Sequence, residues 1–232
     1  MSDSIAMIEN AMRADAEALR IIGQNIANAD VPAYRRRVAI APATFDDLVA
    51  QSSAPVLDSR PGTMRSTGEP LDLALAGSGF FVLQSSHGEL LTRRGDFGVS
   101  PEGLLAAKTG ELLLGAGGPV HVGAQAPSID SLGNVRIADE VIDQLRIVHV
   151  AEGTALQSTG NGMYTIPGTG LLDADGGTLV QQGFLETSNV EPVGEVVQMM
   201  ETLRHFEAAQ RFVRGYGDMM EKAISELGKV SS

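Results

Sequence analysis

The residue types that carry chemistry are sparse in this chain. Histidine occurs at His87, His121, His149 and His205, and cysteine does not occur. A protein metal site needs imidazole, thiolate or carboxylate ligands at close, repeated spacing. No His-x-x-x-His pair exists and no thiolate can complete a set, so the four histidines read as loop or surface residues. Gly115-Ala116-Gly117-Gly118 has the glycine density of a phosphate-cradling loop, but no Lys-Ser/Thr follows it, and it reads as a turn. Asp173-Ala174-Asp175-Gly176-Gly177 opens like a calcium loop, yet Phe184 stands where an EF-hand requires its closing acid. Ser78, between Gly77 and Gly79, lacks the frame of a nucleophile elbow. Arg94-Gly95-Asp96 spells an adhesion tripeptide, but a hairpin turn explains three residues as well. The expectation is no catalytic residue, no cofactor, no metal and no small-molecule substrate: the chain is not an enzyme.

Charge narrows the partners. The 232 residues carry a net charge of −12, which argues against a nucleic-acid surface built from clustered Lys and Arg. The one tight basic run, Arg35-Arg36-Arg37, reads as a solvated turn. Absence of cysteine excludes disulfides without fixing a compartment. Met1-Ser2-Asp3-Ser4-Ile5 has neither a basic n-region nor an apolar h-region, so a cleavable secretory signal is not expected. No stretch approaches the roughly 18 apolar residues of a spanning helix, so membrane insertion is not expected.

The elements fall into three zones. From Ser4 to about Asn28, Ile5, Ile8, Met12, Ala16, Leu19, Ile22 and Ile26 recur in steps of three and four, one stripe of a helix that must end before Pro32. Near the other end, Thr187-Ser188-Asn189-Val190-Glu191-Pro192 reads as a helix start with Ser or Asn as cap. Val193, Val196, Met200, Leu203, Phe206, Gln210, Val213, Met220, Ile224 and Leu227 then form a second long stripe, weakened by Gly215 and Gly217. Met199, Met200, Met219 and Met220 suit an adaptable packing surface better than a cofactor box. Between the helices the period changes to short runs: 71–76, 80–84, 89–92, 104–106, 111–114, 120–122, 135–137 and 145–150. Turns such as Ser86-His87-Gly88, Pro101-Glu102-Gly103 and Gly117-Gly118-Pro119 bound them. That pattern predicts an antiparallel β domain rather than alternating βαβ units. Leaving even five stripe residues uncovered would cost on the order of 10 kcal/mol, so the stripes are expected to face each other and other subunits.

Three ordered blocks carry a resemblance. Gln24-Asn25-Ile26-Ala27-Asn28-Ala29-Asp30-Val31-Pro32-Ala33-Tyr34-Arg35 resembles the signature of the flagellar rod and hook proteins, with Ala33 where glycine is usual and Val31 where threonine is common. Gly79-Phe80-Phe81-Val82-Leu83-Gln84, Thr92-Arg93-Arg94-Gly95-Asp96-Phe97, Pro101-Glu102-Gly103-Leu104 and Gly110-Glu111-Leu112-Leu113-Leu114-Gly115 are similar to the family's β domain. Gln182-Gly183-Phe184-Leu185-Glu186-Thr187-Ser188-Asn189-Val190, with Met199, Arg204-His205-Phe206-Glu207 and Asp218-Met219-Met220, is similar to its C-terminal helix motif, where Ala-Tyr is more frequent than His205-Phe206.

The resemblance implies a structural subunit of the flagellar basal-body rod that polymerises through its terminal helices into a shaft. Its short length looks more like the proximal-rod subunit; a distal-rod or hook-type subunit is the alternative. A soluble β-domain binding module dimerised by its helices is the remaining alternative. Other rod subunits and the flagellar type III export apparatus are the implied partners, and the rod within the periplasm is the implied location.

The expected fold is α+β: N- and C-terminal helices, residues 1–34 and 187–232, pair as a coiled-coil-like assembly domain. An extended connector spans 35–70 and a central antiparallel β domain 71–186. The candidate assembly interface comprises Ile5, Ile8, Met12, Leu19, Ile22, Asn25, Ile26 and Asn28 on the first helix. On the second it comprises Val193, Val196, Met200, Leu203, Phe206, Val213, Met220, Ile224 and Leu227. Asn25 and Asn28 are expected either to cap the first helix or to hold a left-handed turn, fixing its angle to the connector.

Overall fold

The computed structural model describes residues 2–39, 56–138, 140–151, 154, 156–166, 171–173 and 177–230, with side chains except at 2–4, 171–173, 223, 224 and 227–230. The chain is α+β and divides into two compact units. One contains Met1–Ala29, Arg36–Asp58 and Val190–Ser232; the other contains Asp30–Arg35 and Ser59–Asn189.

The first unit is built on two helices. Helix α1 runs Ser2–Ala27 and helix α2 runs Pro192–Val230. Pro192 takes the first helical position, where its missing N–H costs nothing and its fixed φ suits the helix. The expected Ser/Asn cap is not used in this way: Asn189 belongs to the other unit, where its side-chain amide donates to the Arg60 carbonyl at 2.8 Å. Glu191 stands at the cap position instead, and its carbonyl accepts from the Glu195 N–H at 3.0 Å. Gly215 and Gly217 do not break α2, which continues through both. The two helices pack against each other, and a short antiparallel ladder, Arg37–Val38 on Val56–Leu57, completes the described part of the unit. The middle of the expected connector, residues 40–55, lies outside the described residues.

The second unit is antiparallel β throughout its described pairings. Its largest sheet runs Gln157–Gly160, Met163–Thr165, Gly88–Thr92, Phe80–Ser85, Leu112–Gly115, Leu105–Ala107 and Phe97–Val99 in spatial order. Ile147–Val150 joins at Phe80–Ser85, and Leu171–Asp173 pairs outside it. Phe80–Ser85 is central because Phe81, Val82 and Leu83 are fully buried, as a strand covered on both faces requires. The core gathers Leu73, Leu75, Phe81, Leu83, Phe97, Leu105, Leu113, Val120, Val135, Leu145 and Met163, with Phe81 and Phe97 meeting edge to face at 5.3 Å. A three-stranded sheet, Ser128–Ile129, Asn134–Ile137 and Glu140–Gln144, and the ladders Leu179–Gln182 on Leu73–Ala76 and Phe184–Glu186 on Met64–Ser66 complete the unit. Residues 120–122, expected as a strand, contribute one isolated bridge at His121.

Close approach explains one glycine. A Cβ on Gly95 would lie 1.5 Å from the Leu73 carbonyl oxygen, which accepts no such intrusion because the backbone there is already paired.

Candidate assembly interface

The end of α1 is fastened by side-chain amides. Asn28 Nδ2 donates to the Gln24 carbonyl at 2.7 Å, satisfying one of the last helical carbonyls. Asn25 does something different. It is 1 % exposed, and its amide pairs with the main chain of Arg37 in both directions. Its Nδ2 donates to the Arg37 carbonyl at 2.9 Å, and its Oδ1 accepts from the Arg37 N–H at 2.9 Å. The same Nδ2 donates to Glu195 Oε2 at 3.0 Å. The Glu195 carboxylate, buried in the first turn of α2, is neutralised by Arg36, whose Nε donates to Oε1. Arg36 also donates to Gln198 at 2.8 Å, and Arg37 to Gln24 at 3.3 Å. One polar knot thus ties α1, the segment after the signature turn, and α2.

A second knot lies within the β-rich unit and centres on Glu186, 2 % exposed. Its carboxylate accepts from Arg93 Nε at 2.8 Å and from the Gly62 N–H at 3.0 Å, and it pairs with Arg35 at 2.9 Å. Arg93, itself buried, donates three of its other hydrogens to the carbonyls of Leu75, Gly77 and Gly79. The signature turn is anchored on the same strand: Ala33 N–H donates to the Glu186 carbonyl at 2.8 Å. Ala33 adopts φ +54°, the left-handed region in which glycine sits without penalty.

Arg35-Arg36-Arg37, expected as a solvated turn, is therefore bound residue by residue: Arg35 to Glu186, Arg36 to Glu195, Arg37 to Asn25 and Gln24. Sequence reasoning missed Glu186 and Glu195. The available signal was two acids within the C-terminal motif and three bases in the N-terminal one, a complementarity invisible to local charge rules.

The expected apolar interface divides by exposure. On α1, Ile22 is buried, and Ile5, Ile8, Met12, Leu19 and Ile26 are half-buried. On α2 the covered row is Glu195, Met199, Thr202, Phe206, Ala209 and Tyr216, spaced by threes, fours and a seven. Of the α2 residues expected at the interface, Phe206 belongs to this row. Val193, Val196, Met200, Leu203, Val213 and Met220 are exposed, as are Val197, Phe212 and Met219; Val193 reaches 79 %. The side chains of Ile224 and Leu227 lie outside the described residues. Helix α2 thus has a covered row of mixed character and a second, apolar row that is exposed among the described residues.

The motifs weighed for chemistry are occupied by structural bonds. Arg94 grips Asp96 through two hydrogen bonds, at 3.0 and 2.8 Å, and Lys108 adds a contact at 3.2 Å, so the tripeptide closes on itself. Burial would raise the Asp96 carboxyl, but the hydrogen bonds and charges of Arg94 and Lys108 outweigh it and hold the group below its ordinary range. Ser78 Oγ meets His149 Nδ1 at 3.0 Å, but Nε2 meets the Thr178 hydroxyl at 3.3 Å, where nucleophilic chemistry uses a carboxylate. Ala116-Gly117 is a two-residue turn between Leu112–Gly115 and Gly118–Pro119. No group of metal-binding side chains occurs among the described residues, and the calcium-like loop lies largely outside them.

The described residues thus form an α+β protein of a helix pair and a β-rich unit, with its buried charged side chains engaged in polar knots within each unit. Residues 181–226 match the family model described as the flagellar basal body rod FlgEFG protein C-terminal. The chain is 30% identical to the flagellar basal-body rod protein FlgF of Caulobacter vibrioides, over 92% of this chain and 93% of that one. It is 30% identical to FlgF of Salmonella typhimurium, over 89% and 92%. It is 28% identical to the flagellar basal-body rod protein FlgG of Bacillus subtilis, over 89% and 92%. The chain belongs to the family of flagellar basal-body rod proteins.

Proposed function

We propose that this protein is a structural, non-catalytic subunit of the flagellar basal-body rod, polymerising through its terminal helices into the axial drive shaft. The observation that carries the reading is the exposed row on α2: Val193, Val196, Val197, Met200 and Leu203 lie along about three turns and are exposed among the described residues. Each such side chain gains about 1.5–3 kcal/mol when fully buried, and the α1-facing row is separate, so the helix pair can form and still present an apolar edge. Helices α1 and α2 pair as a coiled-coil-like domain, supported by the three-and-four spacing of the covered row. A head-to-tail arrangement of such edges winds into a filament wherever its rotation does not close into a ring, which is the geometry of a shaft.

In this reading residues 1–34 and 187–232 assemble, 35–70 connect, and 71–186 form a β-rich body. The FlgF relatives support a proximal place in the rod. Other basal-body components are the partners, the type III apparatus delivers the chain, and the rod is reached in the periplasm. Deleting the gene and imaging basal bodies by electron microscopy tests the proposal. The expected result is non-motile cells with truncated or missing rods; motile cells with intact rods would overturn it.

A further inference from the structure

The chain carries no cysteine, so its nine methionine thioethers are its only sulfur. Four of them sit on helix α2, as two adjacent pairs. Met199 and Met200 are neighbours in sequence but point about 100° apart around the helix, which puts one sulfur on the covered row and the next on the exposed row. Met199 is half-buried in the row turned to α1. Met200 is 54% exposed, one turn from Val196, Val197 and Leu203. Met219 and Met220 are exposed as well. Met163 gives the contrast, at 5% exposure in the core of the β-rich unit. A thioether is apolar and unbranched, which suits an irregular contact, yet mild oxidants convert it to a polar group.

We propose that Met200 is an oxidant-sensitive modification site, at which a peroxide converts the thioether to a sulfoxide and disables the exposed row of α2. The proposal rests on the reading of that row as the assembly contact. In the step, a lone pair on Sδ attacks one oxygen of hydrogen peroxide, and the S–O bond forms as the O–O bond breaks. The departing hydroxide takes the proton of the transferred oxygen and leaves as water. Sulfur is thereby oxidised and the peroxide reduced. The product carries a strongly polar, accepting oxygen in place of a weakly accepting sulfur. While the row is exposed, water satisfies that oxygen, so the helix pair keeps its fold. Covered by a neighbouring subunit, the oxygen sits among Val193, Val196, Val197 and Leu203, whose side chains offer no donor, and its desolvation opposes the contact. A subunit already assembled hides the same sulfur, so the modification acts on the free chain. Met199 is screened by α1 in either state.

Dilute hydrogen peroxide applied to the purified full chain tests the site, with peptide mass spectrometry whose fragment ions separate position 199 from 200. Met200 should oxidise severalfold faster than Met199, and faster still than Met163, with the helical circular dichroism signal retained until the slower sulfurs react. Equal rates at 199 and 200, or loss of helix once Met200 has reacted, would overturn the proposal. The consequence is tested in cells with Met200→Gln, an uncharged polar side chain of about the sulfoxide's length. Swimming in soft agar should fall severalfold, while the purified variant keeps the helical signal of the unaltered chain. A Met200→Gln chain without that signal would also overturn the proposal, since the row would then belong to the fold. If Met200→Asp abolishes swimming and Met200→Gln does not reduce it, the modification site fails and the assembly reading stands. If neither substitution changes swimming, the assembly reading fails and takes the proposal with it.

Discussion

The amide of Asn25 presents a donor and an acceptor in one plane, which lets it pair with the Arg37 main chain in both directions while reaching Glu195. An aspartate at the same place keeps the acceptor, loses the donor and sets a second negative charge beside Glu195. Asn25→Ala leaves the Arg37 N–H and carbonyl without this partner and should cost about 2–3 kcal/mol, since each buried polar group left unpaired costs about 1–3 kcal/mol. Urea unfolding followed by the helical circular dichroism signal measures it. Asn25→Asp should be at least as damaging, and a near-neutral alanine would remove the knot from any structural role. Ala33 invites the opposite substitution. With φ at +54°, Ala33→Gly should stabilise by about 0.5–1 kcal/mol, because relief of left-handed strain exceeds the entropy that glycine adds to the unfolded chain. A thermal midpoint that falls would show that the buried methyl contributes more than the strain. The asparagines and the family's glycine position were legible from residue type alone. Their partners were not, because Glu195 lies 170 residues from Asn25.

At the scale of elements, α1 and α2 were readable because apolar residues recur at helical spacing and Pro192 marks a start. Most short strands through Leu112–Gly115 were readable from apolar runs and turn residues. Among the strands missed, Gln157–Gly160 is polar throughout and shows no apolar run, and Phe97–Val99, Met163–Thr165 and Phe184–Glu186 are three residues each, too short for a period to show. Periodicity also left unsettled which side of α2 meets α1. It placed Val193, Met200 and Phe206 on one broad stripe, and the fold splits them: Phe206 half-buried, Met200 and Val193 exposed. The two faces make separable predictions. Met200→Asp should leave the unfolding free energy within about 0.5 kcal/mol, as surface changes do, and abolish swimming in soft agar. Phe206→Ala should instead weaken the helix pair itself, by about 2 kcal/mol for a partly buried aromatic ring. Normal swimming by Met200→Asp cells would exclude this row from the assembly contact.

For the molecule as a whole, acid stability is the accessible test of the β-rich unit. Burial opposes ionisation of Asp96, but Arg94 and Lys108 prevail and its folded-state pKa is depressed. A depressed carboxyl contributes stability that is complete above the unfolded value and is lost as pH falls through the folded one. Unfolding followed by a β-sheet signal should therefore lose free energy below the ordinary aspartate range, and Asp96→Asn should flatten that loss while lowering stability at neutral pH. An unchanged acid limb would assign it to other carboxylates. By itself the sequence determined the α+β class, the two terminal helices and the family, because periodicity, turn chemistry and ordered motifs are local properties of a chain. Only the tertiary structure decided that three adjacent arginines are bound rather than solvated, and which row of α2 is covered. Those outcomes depend on which distant carboxylates and helix faces the folded backbone brings within a few ångströms, and no local pattern encodes that distance.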